Sequence, residues 1–208
     1  MLHPKIFKRT ILKKLIFKRK YFMNKIKKKN KLFISLALFF TILLIVTFTL
    51  IKCSTNVTIE DYHFQRDYHA INNNLKVDEY WLFEEGMTFD IDHMLKTKSP
   101  DKNPAYYGKL NIKVLLENGK FAGFITYHKT GYHTGRIQFL SVSKNFRRKH
   151  YGKKLISYAI KDLFNQGCTK ISLITRTNNI PAQKVYRGLG FEETSKDATF
   201  VSFTKYKN

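Results

Sequence analysis

The sequence contains only two cysteines and four prolines, and it has no acidic residue before Glu60. Cys53 and Cys168 are too few for a disulfide-stapled scaffold and lack the spacing of a metal site. No metal site is predicted, because paired ligand spacing is also absent from His63, His69, His93 and His128. Stability is therefore expected to come from packing.

The positive charge is distributed unevenly. The formal net charge is +23, and the first 52 residues contain 14 of the 38 Lys and Arg residues but no Asp or Glu. A nucleic-acid-binding domain would be expected to carry such an excess on the folded domain itself. No specific nucleic-acid partner is therefore predicted. With 43% hydrophobic and 15% aromatic residues, the chain can bury a core, which excludes wholesale disorder.

An uncharged apolar run of 20 residues covers positions 32–51. A helix of that length reaches about 30 Å, the thickness of the hydrocarbon core of a bilayer. The run therefore predicts a single-pass membrane protein with the lipid bilayer as a partner, and a basic cytoplasmic or membrane-surface leader at 1–31. An uncleaved anchor is favoured over a cleaved signal, because no small-x-small cleavage site precedes Cys53.

Residues 54–208 are predicted to form one α+β domain with a mixed sheet. Asn118 and Gly119 separate two β-rich runs and indicate a hairpin. Apolar residues at helical spacing predict a helix over 151–164. The other predicted elements are strands at 57–60, 110–117, 120–127, 136–142, 170–175, 191–193 and 200–204, and helices at 67–74, 77–85, 90–96 and 181–189.

A strand, a basic turn and a helix start follow one another between residues 136 and 155. The first amides of a helix lack internal partners and lie at the positive end of its dipole, so this turn predicts an anion site. Gly152 allows the backbone to approach a ligand closely. Charge for a phosphate would come from Arg147, Arg148, Lys149, Lys153 and Lys154.

Together with a second motif, this turn resembles the GNAT superfamily of N-acetyltransferases over residues 57–205. The acyl-CoA loop of that family, Q/R-x-x-G-x-G/A, corresponds to residues 147–152, RRKHYG. The second family motif, N-x-x-A-x-x-x-Y followed by G-F, corresponds to Asn179, Ala182, Tyr186, Gly190 and Phe191. The resemblance implies a mostly antiparallel sheet flanked by helices, and acetyl transfer from acetyl-CoA to a primary amine.

The resemblance also implies roles for individual residues. The amide of Leu140 would stabilise the oxyanion, and Tyr186 would donate a proton to the departing thiolate. Asn179 would orient the cofactor or serve only as a helix N-cap, and Tyr186 has the alternative of simply packing under the sheet. The implied cofactor-binding residues are Leu140, Val142, Arg147, Arg148, Lys149, His150, Tyr151, Gly152, Lys153 and Asn179.

Two positions depart from the family pattern. His150 replaces the first loop glycine, and Gln138 stands where many members carry a strand glutamate that relays the proton of the amine. Because glutamine cannot accept that proton, the general base is unassigned. The candidates are Glu84, Glu85, Asp90 and His133.

Several alternatives stay open. The charge rule places the C-terminal domain outside the cytoplasm, whereas the supply of acetyl-CoA favours the inside, and translation could start at Met1 or Met23. A non-catalytic acyl-CoA-binding module is the second hypothesis, motivated by Gln138. A basic membrane-surface or nucleic-acid adaptor that uses the leader is the third. The acceptor is a small-molecule amine, an amino sugar, a protein N-terminus or a lysine.

Overall fold

A computed structural model describes residues 31, 33, 35–36, 38–44, 55–83, 90–99 and 109–207. The chain divides into two units, residues 1–55 and residues 56–208. The two are described separately.

In the first unit, the described residues between 31 and 44 are helical. Among the residues that the structure describes, no helix is long and apolar enough to cross a membrane. The single-pass membrane location is therefore wrong, and the transmembrane helix and the bilayer partner lose their support. Residues 1–30 and 45–51 lie outside the described residues.

The second unit is built on a seven-stranded sheet with the order β1-β2-β3-β4-β5-β7-β6. Neighbouring strands are antiparallel except for β4 and β5, which are parallel. This arrangement confirms the predicted mixed, mostly antiparallel sheet. The strands are β1 (Val57–Asp61), β2 (Asn111–Glu117), β3 (Lys120–Lys129), β4 (Thr134–Val142), β5 (Lys170–Arg176), β6 (Glu192–Lys196) and β7 (Phe200–Tyr206).

Five helices accompany the sheet in the described part of this unit. They are α1 (Phe64–Val77), α2 (Glu79–Leu82), α3 (Ile91–Thr97), α4 (Tyr151–Asn165) and α5 (Ile180–Arg187), with a 3-10 turn at Lys144–Phe146. The helix predicted over 77–85 is shorter than expected, because Asp78 lies between α1 and α2 with a non-helical backbone and Phe83 ends α2 with an extended backbone (φ −123°, ψ 151°). Residues 84–89 lie outside the described part.

The predicted hairpin is confirmed at the β2–β3 turn. Asn118 and Gly119 have φ values of 51° and 75°, the left-handed conformations that a tight two-residue hairpin turn needs. Asn and Gly adopt them at lower cost than other residues.

The sheet separates two clusters of buried side chains. Along β3, Phe124 packs in the cluster with α1 and α3, whereas Ile125 packs in the cluster with α4. The alternation of side chains along a strand explains this division. Helix α4 contributes Leu155, Ile156 and Ala159 to its cluster at helical spacing, as the sequence predicted. Strands β1 and β6 form the two edges of the sheet.

The α4 cluster yields a stability prediction. Leu155 is fully buried, so Leu155→Ala should lower the free energy of unfolding by about 2–5 kcal/mol through lost transfer energy and the cavity left behind. Ser157 is exposed on the same helix, and Ser157→Ala should change stability by less than about 0.5 kcal/mol. Urea unfolding measures both, and equal midpoints for the two variants would contradict the packing of α4.

Candidate active site

A cleft opens where β4 and β5 diverge. The two strands pair only at Thr134, Gly135 and Arg136 of β4. Beyond that point β5 stays paired with β7 as far as Arg176, while β4 stays paired with β3 as far as Val142. The cleft is the wedge between residues 137–142 of β4 and residues 173–176 of β5. Its edges carry backbone groups that no neighbouring strand uses.

The backbone of β4 turns specific amides toward this cleft. The N–H of Phe139 donates to Oγ1 of Thr126 at 3.0 Å, and the N–H of Ser143 donates to the carbonyl of Ala122 at 2.9 Å, both on the β3 side. Successive amides of a strand point to opposite edges. The N–H groups of Leu140 and Val142 therefore face the cleft.

A β-bulge, which no local sequence pattern predicted, lies at the closed end of the cleft. Ile137 pairs with Tyr127 and Phe139 with Thr126, which leaves Gln138 as the extra residue. A bulge bends its strand and increases the local twist, so it helps to turn β4 away from β5. The Oε1 atom of Gln138 is buried without a hydrogen-bond partner among the described residues.

The loop that follows β4 presents free amides at the start of α4. Arg148 and His150 both adopt left-handed backbone conformations, with φ values of 66° and 60°. The first hydrogen bond of the helix runs from the N–H of Lys154 to the carbonyl of His150. The amides of residues 151–153 precede it, and the His150 side chain does not cap them. Such a turn and helix start form an anion-binding concavity.

Two of the five predicted cations are bound to carboxylates that the sequence analysis missed. Nη2 of Arg147 donates to Oδ1 of Asp78 at 2.7 Å, and Nζ of Lys149 donates to Oε1 of Glu117, also at 2.7 Å. The side chains of Asp78 and Glu117 are only 12% and 7% exposed. Lys149 lowers the pKa of Glu117 below its ordinary value. Both acids come from other elements, so motif spacing could not reveal them.

The other three cations of the loop and helix start are exposed, whereas Gly152 lies against β4. Arg148, Lys153 and Lys154 are exposed. A Cβ placed on Gly152 would lie 4.0 Å from the side chains of Leu140 and Val142. The helix start therefore lies against the cleft end of β4, and the loop residues and the two strand residues form one site.

Tyr186 is a buried residue of α5. Its ring packs in edge contacts on Phe191 and Phe203, with centroid distances of 6.2 and 5.7 Å. Burial raises the pKa of Tyr186 to about 12 and outweighs a hydrogen bond from Thr175 that acts in the opposite direction. Thr175 lies on the stretch of β5 that borders the cleft, so the phenol oxygen lies beside the cleft wall.

Asn179 is the N-cap of α5. Its Oδ1 accepts from the N–H of Ala182 at 3.4 Å, and its Nδ2 donates to Oγ1 of Thr175 at 3.2 Å. One of the two roles expected from the sequence is thus realised in the fold. The contact with Thr175 also joins Asn179 to the hydroxyl that bonds Tyr186.

None of the four candidate general bases is placed at the open end of the cleft by the described residues. Glu84 and Glu85 lie outside the described residues. Asp90 caps α3, accepting from the N–H of His93 at 2.8 Å. His133 lies at the paired end of β4 and β5, where its carbonyl accepts from Thr169, so it is remote from the open end of the cleft. No base is assigned.

The family model described as the acetyltransferase (GNAT) family matches residues 62–191. The chain belongs to the acetyltransferase (GNAT) family.

Similar proteins fit this assignment. GCN5-related N-acetyltransferase 4, chloroplastic, of Arabidopsis thaliana is 28% identical over 49% of this chain and 44% of its own length. N-alpha-acetyltransferase 30 of Xenopus laevis is 36% identical over 31% of this chain and 23% of its own. The chain spans less than half the length of these relatives. The structure of yncA from Salmonella typhimurium, with its cofactor acetyl-CoA, has a TM-score of 0.58 at 17% identity, covering 72% of this chain and 93% of that one. At that identity it shows the fold.

The left-handed conformation at His150 predicts that glycine and valine substitutions rank differently in stability there than inside helix α4. His150→Val should have a free energy of unfolding about 1 kcal/mol or more below that of His150→Gly, because a β-branched side chain disfavours positive φ. Lys153 lies inside the first turn of α4, so there the order should reverse: Lys153→Gly should be less stable than Lys153→Val by about a few tenths of a kcal/mol. Thermal unfolding of the four variants checks this, and the same order at both positions would contradict the loop conformation.

Proposed function

We propose that this protein is an N-acetyltransferase that moves an acetyl group from acetyl-CoA to a primary amine by direct attack in a ternary complex. The acetyltransferase domain covers residues 54–208. The observation that carries the proposal is the cleft between β4 and β5, which opens beside a turn of free amides and a buried phenol. Family membership and the bound acetyl-CoA of yncA support the choice of co-substrate.

The loop would bind the pyrophosphate of acetyl-CoA. The amides of residues 148–152, which include His150, Tyr151 and Gly152, surround the anion, and the exposed side chains of Arg148 and Lys153 add positive charge. The cleft edge of β4 then holds the pantetheine arm, with the main chain of Val142 as one contact. This route leads the thioester to Leu140.

The chemistry then requires one bond to form and one to break. The nitrogen of a neutral amine attacks the carbonyl carbon, and the amide of Leu140 stabilises the negative charge that develops on oxygen. The carbon–sulfur bond breaks, and the Tyr186 phenol donates its proton to the sulfur. Because burial raises the pKa of Tyr186, the phenol is protonated at neutral pH and has a proton to donate. The attacking nitrogen loses one proton to water and the Tyr186 phenolate regains one from water, so the protons balance over the whole reaction.

The proposed acceptor class comes from a relative. The similarity to N-alpha-acetyltransferase 30 of Xenopus laevis over about a third of this chain favours a protein or peptide N-terminus. Amino sugars, lysine side chains and small amines are the alternatives. Gln138 favours a second function, a non-catalytic acyl-CoA-binding module, because it cannot accept the amine proton.

Thiol release separates the two functions. An N-acetyltransferase should release free CoA from acetyl-CoA in the presence of peptides with free N-termini, as detected by a thiol reagent, with N-acetylated peptide confirmed by mass. N-terminally blocked peptides of the same sequence provide the control. Binding of CoA without thiol release across peptides, amino sugars and polyamines would indicate the binding module. Failure to bind CoA at all would contradict both.

Tyr186→Phe tests the proposed acid. Removal of the hydroxyl should lower kcat by about 10²-fold, the lower end of general acid contributions, while CoA affinity stays the same. Tyr206→Phe, at an exposed site in β7, is the matched control and should leave kcat unchanged. An unchanged kcat in Tyr186→Phe would show that Tyr186 only packs in the core. Thermal unfolding verifies that both variants are folded.

A further inference from the structure

A buried polar network links the acyl-CoA loop to the junction of α1 and α2. Ser141 donates from Oγ to Oδ2 of Asp78 at 2.7 Å, and Asn74 donates from Nδ2 to Oγ of Ser141 at 3.1 Å. Ser143 donates to Oδ1 of Asn74 at 3.1 Å. The second oxygen of Asp78 accepts from Arg147. The Asp78 carboxylate thus joins the end of α1, the end of β4 and the loop.

Arg147 is bound within the protein through two of its three guanidinium nitrogens. Besides the bond from Nη2 to Asp78, its Nε donates to the carbonyl of Val142 at 2.9 Å. A guanidinium held at two fixed points positions the backbone on either side of it. The Asp78 side chain is largely buried, so removing its cation would leave an uncompensated buried charge. Moving Arg147 onto a phosphate would carry that cost.

The same junction continues to the opposite wall of the cleft. Asp78 is the N-cap of α2, and Arg176 of β5 donates to the carbonyls of Tyr80 and Phe83 around that helix. The guanidinium of Arg176 also lies 4.2 Å from the centroid of the Tyr80 ring. Residues 78–83 therefore connect the β4 side of the cleft to the β5 side.

We propose that Asp78 is a positioning residue for acyl-CoA. Its carboxylate holds Arg147 and so keeps residues 147–152 in the anion-binding conformation, with Arg147 acting on the loop and not on a phosphate. This inference rests on the proposed acetyl-CoA site. Arg147, the first residue of the loop motif, is then not a phosphate ligand. Its partner is Asp78, 69 residues earlier in the chain.

Asp78→Asn should change CoA affinity in opposite directions under the two possible roles of Arg147. If Arg147 is a loop-holding residue, Asp78→Asn and Arg147→Gln should each weaken CoA binding by about tenfold, and the double variant should lose no more than either single one. If Arg147 is a phosphate ligand, Asp78→Asn frees it and CoA binds more tightly. Calorimetry on the full chain measures these affinities. Tighter binding, unchanged affinity or additive losses would overturn the proposal.

Arg147→Lys tests geometry apart from charge. A lysine keeps the cation but cannot bond Asp78 and Val142 with one planar group, so binding should fall about as far as in Arg147→Gln. Retention of wild-type affinity would contradict the proposal. Arg148→Gln is the comparison variant, since Arg148 is exposed and proposed to face the phosphate. It alone should reduce the salt dependence of CoA binding, and a reduced dependence in Arg147→Gln would also contradict the proposal.

The test remains decisive if Asp78→Asn does not fold. Ser141→Ala removes one of the bonds to Asp78 and leaves the ion pair, so it should weaken CoA binding by less than Arg147→Gln does. A larger loss in Ser141→Ala would count against the assignment. Wild-type protein that does not bind CoA would refute the proposed function itself. Wild-type binding with variants that break the stated order would refute only the role of Asp78.

Discussion

The site depends on one interrupted interaction, the pairing of β4 with β5 through three residues only. Had the pairing continued past Arg136, the amides of Leu140 and Val142 would be used within the sheet. The bulge at Gln138 comes two residues after the last pair and turns β4 away, while β5 stays paired with β7 as far as Arg176. The cleft is therefore a product of backbone hydrogen bonding, and side chains only line it.

The loop beside the cleft is held in an unfavourable conformation by charge. Non-glycine residues with positive φ cost about 1–2 kcal/mol each, and both Arg148 and His150 adopt them. The ion pairs of Arg147 with Asp78 and of Lys149 with Glu117 flank these two residues and attach the loop to neighbouring elements. A loop without the family glycine thus keeps its shape through partners on other elements.

Local patterns predicted much of this domain. The hairpin at Asn118, the amphipathic face of α4 and the order of helices and strands along the chain follow from periodicity and turn chemistry. The anion site at the start of α4 was predicted from a single short motif and stays a prediction. The bulge, the left-handed angles and the partners of Arg147 and Lys149 depend on contacts between distant segments, which no local pattern encodes. The membrane span predicted from apolar composition was wrong, because among the described residues no helix is long and apolar enough to cross a membrane.

The two edge strands of the sheet bear on how copies of this protein meet in solution. Both β1 and β6 have only five residues, and each carries adjacent carboxylates, Glu60 and Asp61 in one and Glu192 and Glu193 in the other. Glu60, Asp61 and Glu193 form ion pairs with Arg66, Lys113 and Arg187, so charged side chains stand along both edges. A chain with a net charge of +23 thus carries acidic groups and their ion pairs on the two edge strands of its sheet, where charged side chains disfavour edge-to-edge pairing between copies.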